Sequence, residues 1–442
     1  MSADLVVVGA GVMGAWTALR GLVDGRATTL IDAFGPGDPR ATSGDETRII
    51  RSSHGADAFY AEWARAARDE WIELGVAAGA PIFEPSGVAW FTHADGGFET
   101  QSEATLRQLG IPVERIPGPE AVIRWPGLAL DDDDFVVYEP EAGLLRARQG
   151  VRAVASRFQA GGGTLRVDRV RPARGSGRRL EAIETDSGES ISGGTFVFAA
   201  GPWLARLFPE LLGDLIALTK QDVFYFGPGP GDRRFGADRF PAWVDFDRAM
   251  YGIPALDGRG FKAAPDGYGR AFDPDGEDRF VDRETLAATR TFLAERMPAM
   301  AGRPVSETRV CQYESTPDTH FVIDRHPDWD NVWLVGGGSG HGFKHGPMIG
   351  RYVMDLINAD GAAPPSRGGP PDDRFSLSRR RVAGPTMRSG GPPPSAQGAP
   401  PRSAAPVGQP PPSAAPMGQS GTALFQGGGL YTSRTFERSP LG

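Results

Sequence analysis

The chain opens on an apolar run, LVVVG at residues 5–9, passes through the small-residue turn AGVMG into an Ala- and Leu-rich stretch from Ala15 to Leu22, and continues to TTLID at 28–32. Strand, tight turn, helix, strand is the order that begins a βαβ unit. Between residues 57 and 75, Phe59, Trp63, Ala67, Trp71 and Leu74 recur at intervals of three or four, which predicts an amphipathic helix covering that sheet.

Short apolar stretches broken by Pro and Gly predict strands from Ile82 to Thr92, and residues 147–160 read as a helix stopped by Gly161 to Gly163. Strand-like segments return at Thr164 to Val170 and Thr195 to Ala200. From Asp222 to Ala264 the pattern turns to aromatic-rich strands with a hairpin turn at Leu256 to Gly260. VWLVG at 332–336 is one more buried strand, followed by a glycine run and the helix-like segment Pro347 to Ile357. Beyond about residue 380 the chain becomes rich in Pro, Gly, Ser and Ala, and PRSAAPVGQ at 401–409 returns as PPSAAPMGQ at 411–419. Such a segment buries too little apolar surface to offset its ordering entropy, so a disordered tail is expected.

Charge and cysteine content narrow the chemistry. The 442 residues carry 47 basic and 55 acidic side chains, a formal charge of −8 that argues against a nucleic-acid or anionic-membrane surface and leaves a small molecule as the expected partner. No window approaches the roughly 18 uninterrupted apolar residues of a membrane span. The first residues show no basic stretch and cleavage site, so a cytoplasmic location is expected. Cys311 is the only cysteine, which excludes an intrachain disulfide or a cysteine-built zinc site, and no metal is expected.

Gly9, Gly11 and Gly14 form G-x-G-x-x-G between a strand and a helix, where backbone can approach a pyrophosphate at the helix N-terminus. Asp32 ends the next strand, where a carboxylate accepts hydrogen bonds from a ribose. FAD and NAD both present an adenosine diphosphate to this fingerprint, so later residues must separate them. TFVFAAGPW, residues 195–203, is a buried strand ending at Gly201, whose missing side chain would admit a cofactor. In VGGGSGHGFKHGPMIG, residues 335–350, a strand feeds a glycine-rich loop and a helix, with Lys344 adding a charge where a reduced flavin gains negative charge.

Five ordered blocks, VVVGAGVMGAW, GDETRIIR, YEPEAGLLR, VCQYESTPDTHFVIDRHP and GSGHGFKHGP, then carry a resemblance. From about residue 4 to about 380 the chain resembles the monomeric sarcosine oxidase and N-methyltryptophan oxidase family, within the D-amino-acid-oxidase-like flavoproteins. The resemblance implies FAD, held covalently through Cys311 of the C-x-Y-x-x-T-P-D segment. It implies that Arg48 lies against the flavin, that Arg51 and Lys344 bind the substrate carboxylate, and that Tyr251 and Tyr313 line the substrate pocket. Lys262 resembles the family lysine that activates oxygen. With the fingerprint residues and Gly201, the implied cofactor contacts are Thr47, Arg48, Val170, Cys311, Gly337, Gly340, His341, Gly342 and Lys344. Two departures stand out: Ala263-Ala264-Pro265-Asp266-Gly267 lacks the histidine that sarcosine oxidases carry after this lysine, and ATSGDE before Thr47 lacks the histidines frequent there.

The expected architecture is α/β. A Rossmann-type FAD-binding domain is assembled from residues 1–80, 140–220 and 305–380, a mostly antiparallel α+β substrate domain from 81–139 and 221–304, and a Pro/Gly-rich disordered tail from 381–442. The expected activity is oxidation of a secondary or N-methylated amino acid to an imine by a monomeric enzyme, with oxygen reduced to hydrogen peroxide. Desaturation of a cyclic amine by the same family is the alternative. A nicotinamide-dependent dehydrogenase fits the fingerprint but not the Cys311 and Gly337 to Lys344 blocks, and a catalytically silent flavoprotein would be expected to have lost Lys262 or Arg51.

Overall fold

A computed structural model describes residues 3–175, 177–276, 278–360 and 373–379. The tail expected at 381–442 lies outside the described residues. Two large sheets organise the chain. The first runs 322–325, 332–336, 190–198, 3–8, 28–32, 164–167, with the short strand 182–184 paired to 190–198. Its central pairs are parallel and Val322–Arg325 closes one edge antiparallel. Both faces of strand Ala3–Val8 are covered: Leu5 and Val7 join one apolar cluster, Val6 and Val8 another. Burial on two sides is why the sequence reads as a continuous apolar run rather than an alternation.

Helix Val12–Val23 follows the first strand and packs beside Gly346–Asn358 and Ala147–Ala160. The approach to Gly346–Asn358 depends on two glycines. A Cβ at Gly346 would sit 2.5 Å from Val12 Cγ2, and one at Gly350 would sit 2.7 Å from the Trp16 carbonyl carbon. The helix expected over 57–75 is Ala58–Ala78; the Asp57 side chain accepts from the Tyr60 N–H at its start, and Gly79 ends it at φ 64°.

The second sheet has eight strands in the order 305–315, 217–226, 261–265, 250–253, 242–245, 88–92, 135–139, 114–117. All its pairs are antiparallel except Ala242–Asp245 with Val88–Thr92. A small antiparallel sheet of 47–50, 143–146 and 83–84 accompanies the two.

Some elements differ from expectation. The strand expected over Thr164 to Val170 stops at Val167, where the Asp168 N–H turns to the Asp32 carbonyl, and Val170 makes only an isolated bridge to Thr185. Helices Phe98–Gln108 and Arg283–Arg296 have no counterpart in the sequence reading. Their buried faces mix polar with apolar residues (Glu99, Ser102, Glu103 and Leu106 in one; Thr289, Phe292, Leu293 and Arg296 in the other), so an apolar period of 3.6 is faint. No helix among the described residues is long and apolar enough to cross a membrane.

Candidate active site

A long cleft opens at the carboxyl ends of the parallel strands, the usual ligand position in open α/β sheets. Gly9, Gly11, Asp32, Arg48, Val170, Gly201, Tyr313, Gly340 and Gly342 line it. Gly14 does not; a Cβ there would lie 1.9 Å from the Gly9 carbonyl oxygen, so it serves the tight helix–strand approach. Asp32 accepts from the Ala10 N–H at 2.7 Å and from Phe34 and Gly35 N–H at 2.8 Å, which fixes its carboxylate at the strand end. Gly337 also stands back from the cleft, at φ 68° beside Thr316.

A second pocket shares Arg48, Tyr313, Gly340 and Phe343 with the cleft and extends it toward Thr47, Arg51, Trp90, Tyr251, Cys311, His341 and Lys344. Arg51 and Tyr251 thus come together from distant parts of the chain with Cys311 and Lys344. The Arg51 guanidinium lies 4.8 Å from the Trp90 ring centroid and donates to the Ser53 carbonyl. Lys344 is buried and its Nζ donates to the His341 carbonyl at 3.0 Å.

Lys262 lies beneath this pocket rather than in its wall, 1% exposed. Its Nζ donates to Asp45 Oδ2 at 2.5 Å and to the Thr47 carbonyl at 3.3 Å. Arg48 also reaches Asp45 Oδ2 at 2.5 Å, and Tyr225 donates to Oδ1 at 3.2 Å. Burial pushes the Asp45 carboxyl up, but the Lys262 and Arg48 cations outweigh it and hold the group below the usual carboxylate range. Burial lowers the Lys262 ammonium against the pull of Asp45. Cys311 Sγ lies 3.8 Å from an Arg48 guanidinium nitrogen; burial and Asp45 push the thiol up, and Arg48 opposes them. Tyr251 and Lys262 stand on adjoining strands, where Tyr251 pairs with Ala264 and Lys262 with Ile253.

Comparison with known proteins decides the family. The FAD dependent oxidoreductase model matches residues 4–356. The chain belongs to this family. It is 30% identical over 360 residues to a monomeric sarcosine oxidase of Bacillus sp. (strain NS-129), covering 80% of this chain and 92% of that one. It is 28% identical to the peroxisomal sarcosine oxidase of Mus musculus (80% and 91% covered) and 27% identical to an N-methyl-L-tryptophan oxidase of Salmonella dublin (80% and 95%). In fold it is similar to L-proline dehydrogenase from P. horikoshii, with TM-score 0.73 and 21% identity over 85% of this chain and 97% of that one. NikD, an amino acid oxidase essential for nikkomycin biosynthesis, follows at TM-score 0.71 and 20% identity, with 85% and 97% covered. The chain is an FAD-dependent, sarcosine-oxidase-like oxidase.

The oxidase's cleft fits FAD on its own chemistry. At the start of helix Val12–Val23 the Ser43 hydroxyl accepts from the Val12 N–H at 3.0 Å, and with no acidic residue in the first turn the positive helix end favours an anion. Gly201 adopts φ 53° where a side chain would enter the cleft. Glu314 lines the cleft and is buried, its Oε2 without a hydrogen-bond partner, and burial pushes its carboxyl up to about 8. A neutral carboxylic acid can donate to an anionic or carbonyl oxygen, so the orphaned atom suits a polar cofactor.

The sequence reading passed over Asp45, Tyr225 and Glu314. Asp45 sits in ATSGDE, the segment that lacks the family's histidines, so its carboxylate occupies the region that the departure marked. Glu314 lies inside the C-x-Y-x-x-T-P-D block, between residues that drew attention to themselves. For Tyr225, one aromatic among several in its strand, the sequence holds no distinguishing signal.

Proposed function

We propose that the oxidase acts on a small secondary or N-methylated amino acid, with the carboxylate held by Arg51 and Lys344. The observation that carries this reading is two cationic side chains from distant segments lining one pocket that is continuous with the cofactor cleft. A guanidinium fork gives a carboxylate two parallel hydrogen bonds, and a buried ammonium gives it a point charge. Trp90 offers an apolar wall, while the Tyr251 and Tyr313 hydroxyls offer the polar handles that fix orientation. The names of the sarcosine and N-methyltryptophan oxidases support the substrate class, and those of the bacterial monomeric enzymes support a monomer.

When bound, FAD supplies the two-electron acceptor for oxidation of the carbon–nitrogen bond. The chain holds the substrate by its carboxylate so that this bond faces the shared boundary of pocket and cleft. Lys262 sets a positive charge under the same boundary, where oxygen taking up electrons is stabilised. The product imine is hydrolysed by water and oxygen leaves as hydrogen peroxide. Cys311, at the pocket's edge, is the proposed point of covalent flavin attachment.

Screening N-methyl and cyclic amino acids beside their carboxylate-free amines for peroxide release tests the reading. Turnover of the amino acids and not of the matched amines is expected. Equal turnover of both would overturn it.

A further inference from the structure

Beside the substrate pocket, which His341 lines, three histidines from two segments converge. Their ring centroids lie 6.0 Å apart for His54–His341, 5.4 Å for His54–His345 and 6.0 Å for His341–His345. All three are buried, and one ring nitrogen from each falls within 4.8 Å of the others. Of the three, only His341 is among the cofactor contacts that the family resemblance implies.

Their hydrogen bonds fix which nitrogens keep a lone pair. His54 Nδ1 lies 3.0 Å from the Ser52 carbonyl oxygen, and His341 Nε2 lies 2.9 Å from that of Thr319. A carbonyl only accepts, so in each neutral ring that nitrogen carries the proton and the other holds a lone pair. The remaining atoms, His54 Nε2 and His341 Nδ1, have no hydrogen-bond partner, and neither ring nitrogen of His345 has one.

Imidazoles whose second nitrogen donates to a backbone carbonyl are oriented as metal ligands are. Zinc–nitrogen bonds of about 2.0–2.1 Å place the nitrogens of a tetrahedral site roughly 3.3 Å apart. Small side-chain rotations close the difference from 4.8 Å. Neutral nitrogen donors select zinc and its first-row neighbours over magnesium or calcium, which take oxygen ligands.

We infer that His54, His341 and His345 bind one divalent transition-metal ion of the zinc class, as a clasp between the segment that carries Arg51 and the loop that carries Lys344. His345 directly precedes helix Gly346–Asn358, and His54 follows Arg51 on the chain beyond strand Thr47–Ile50. The bound ion would tie these two segments together. The Lys344 ammonium repels a cation at this place and sets a ceiling on affinity.

The test uses tag-free, flavin-loaded enzyme stripped with a chelator, given one equivalent of zinc sulfate and desalted. Metal content, melting temperature and zinc-edge X-ray absorption are then read. About one zinc per chain, a raised melting temperature and scattering from three imidazoles are expected, while magnesium gives none of these. His54→Phe and His345→Phe, which keep the aromatic packing, should retain flavin and weaken zinc binding by at least about 100-fold. Lys344→Met should tighten it. Wild-type enzyme that keeps no zinc overturns the inference. So does zinc retained equally by the His54→Phe/His345→Phe double variant, or absorption showing oxygen ligands alone; the wild-type spectrum decides even if a variant fails to fold.

Discussion

Lys262 and Asp45 form a buried ion pair, ammonium to carboxylate at 2.5 Å, against Thr47 and Tyr251 of the pocket that holds Arg51. The same carboxylate also binds Arg48, so one negative charge is shared between two cations. The three groups together therefore carry a net positive charge while each cation keeps a partner.

That positive charge should serve oxygen rather than the amino acid. Lys262→Met is expected to slow reoxidation of reduced flavin by roughly 100-fold or more, the scale of losing one preorganised electrostatic group. Flavin reduction by substrate should change far less. Stopped-flow absorbance of the two half-reactions separates them, and reoxidation at the wild-type rate would assign oxygen activation to another group.

Asp45→Asn removes the charge that two buried cations share. Breaking a buried pair at one partner costs about 3–5 kcal/mol, so a loss of that order is expected in chemical denaturation at neutral pH. Because the folded carboxyl titrates below its ordinary value, its contribution is fully present above the unfolded value and is lost as pH falls through the folded one. The gap between wild type and Asp45→Asn should thus persist into mild acid and close only in strong acid. A gap already closed at pH 5 would contradict the pairing.

Glu314 carries the opposite sign. Its folded carboxyl is pushed up to about 8, so between the ordinary glutamate range and that value the folded state binds more protons than the unfolded one. Stability from this group therefore declines as pH rises through that window. Glu314→Gln removes the titration, and its melting temperature should exceed the wild type's at pH 8 and converge with it near pH 4. A constant difference across the range would show that folding does not shift the Glu314 carboxyl.

Cys311 is expected to hold the flavin covalently. Acid-precipitated wild-type protein should stay yellow, whereas Cys311→Ser should release all flavin to the supernatant. Release from the wild type would end the covalent assignment while leaving FAD itself in place.

How far the sequence revealed this site follows from where its determinants are stored. The glycine turn, Asp32 and the first parallel strands are local, because φ above zero at Gly9 and the packing of Gly14 on Gly9 need residues only a few positions apart. Arg48, Arg51, Cys311 and Lys344 were reachable through ordered blocks. Asp45 was passed over although the block GDETRIIR contains it three residues before Arg48: its importance comes from Lys262, brought to it by the antiparallel sheet. His341 was named as an implied cofactor contact, but its meeting with His54 and His345 was not foreseen, since nothing in the spacing of His54 from the other two predicts it. Helix Phe98–Gln108 was missed because its buried positions include Glu99, Ser102 and Glu103.

Arg51 offers the sharpest test of how substrate is held. Its guanidinium is braced by the Ser53 carbonyl and by the Trp90 ring, so it reaches the pocket already oriented and loses little freedom when a carboxylate arrives. Removing a charge-assisted hydrogen bond costs about 1.5–3 kcal/mol. Arg51→Ala should therefore raise the dissociation constant of an amino acid substrate by roughly 10- to 150-fold, with reoxidation unchanged. Lys344→Met should act in the same direction, and because both groups line one pocket the double variant should fall short of the product of the two effects. A carboxylate-free amine of the same shape has nothing to lose at either position. If its binding weakens as much as the amino acid's in Arg51→Ala, the arginine shapes the pocket and the carboxylate is held elsewhere.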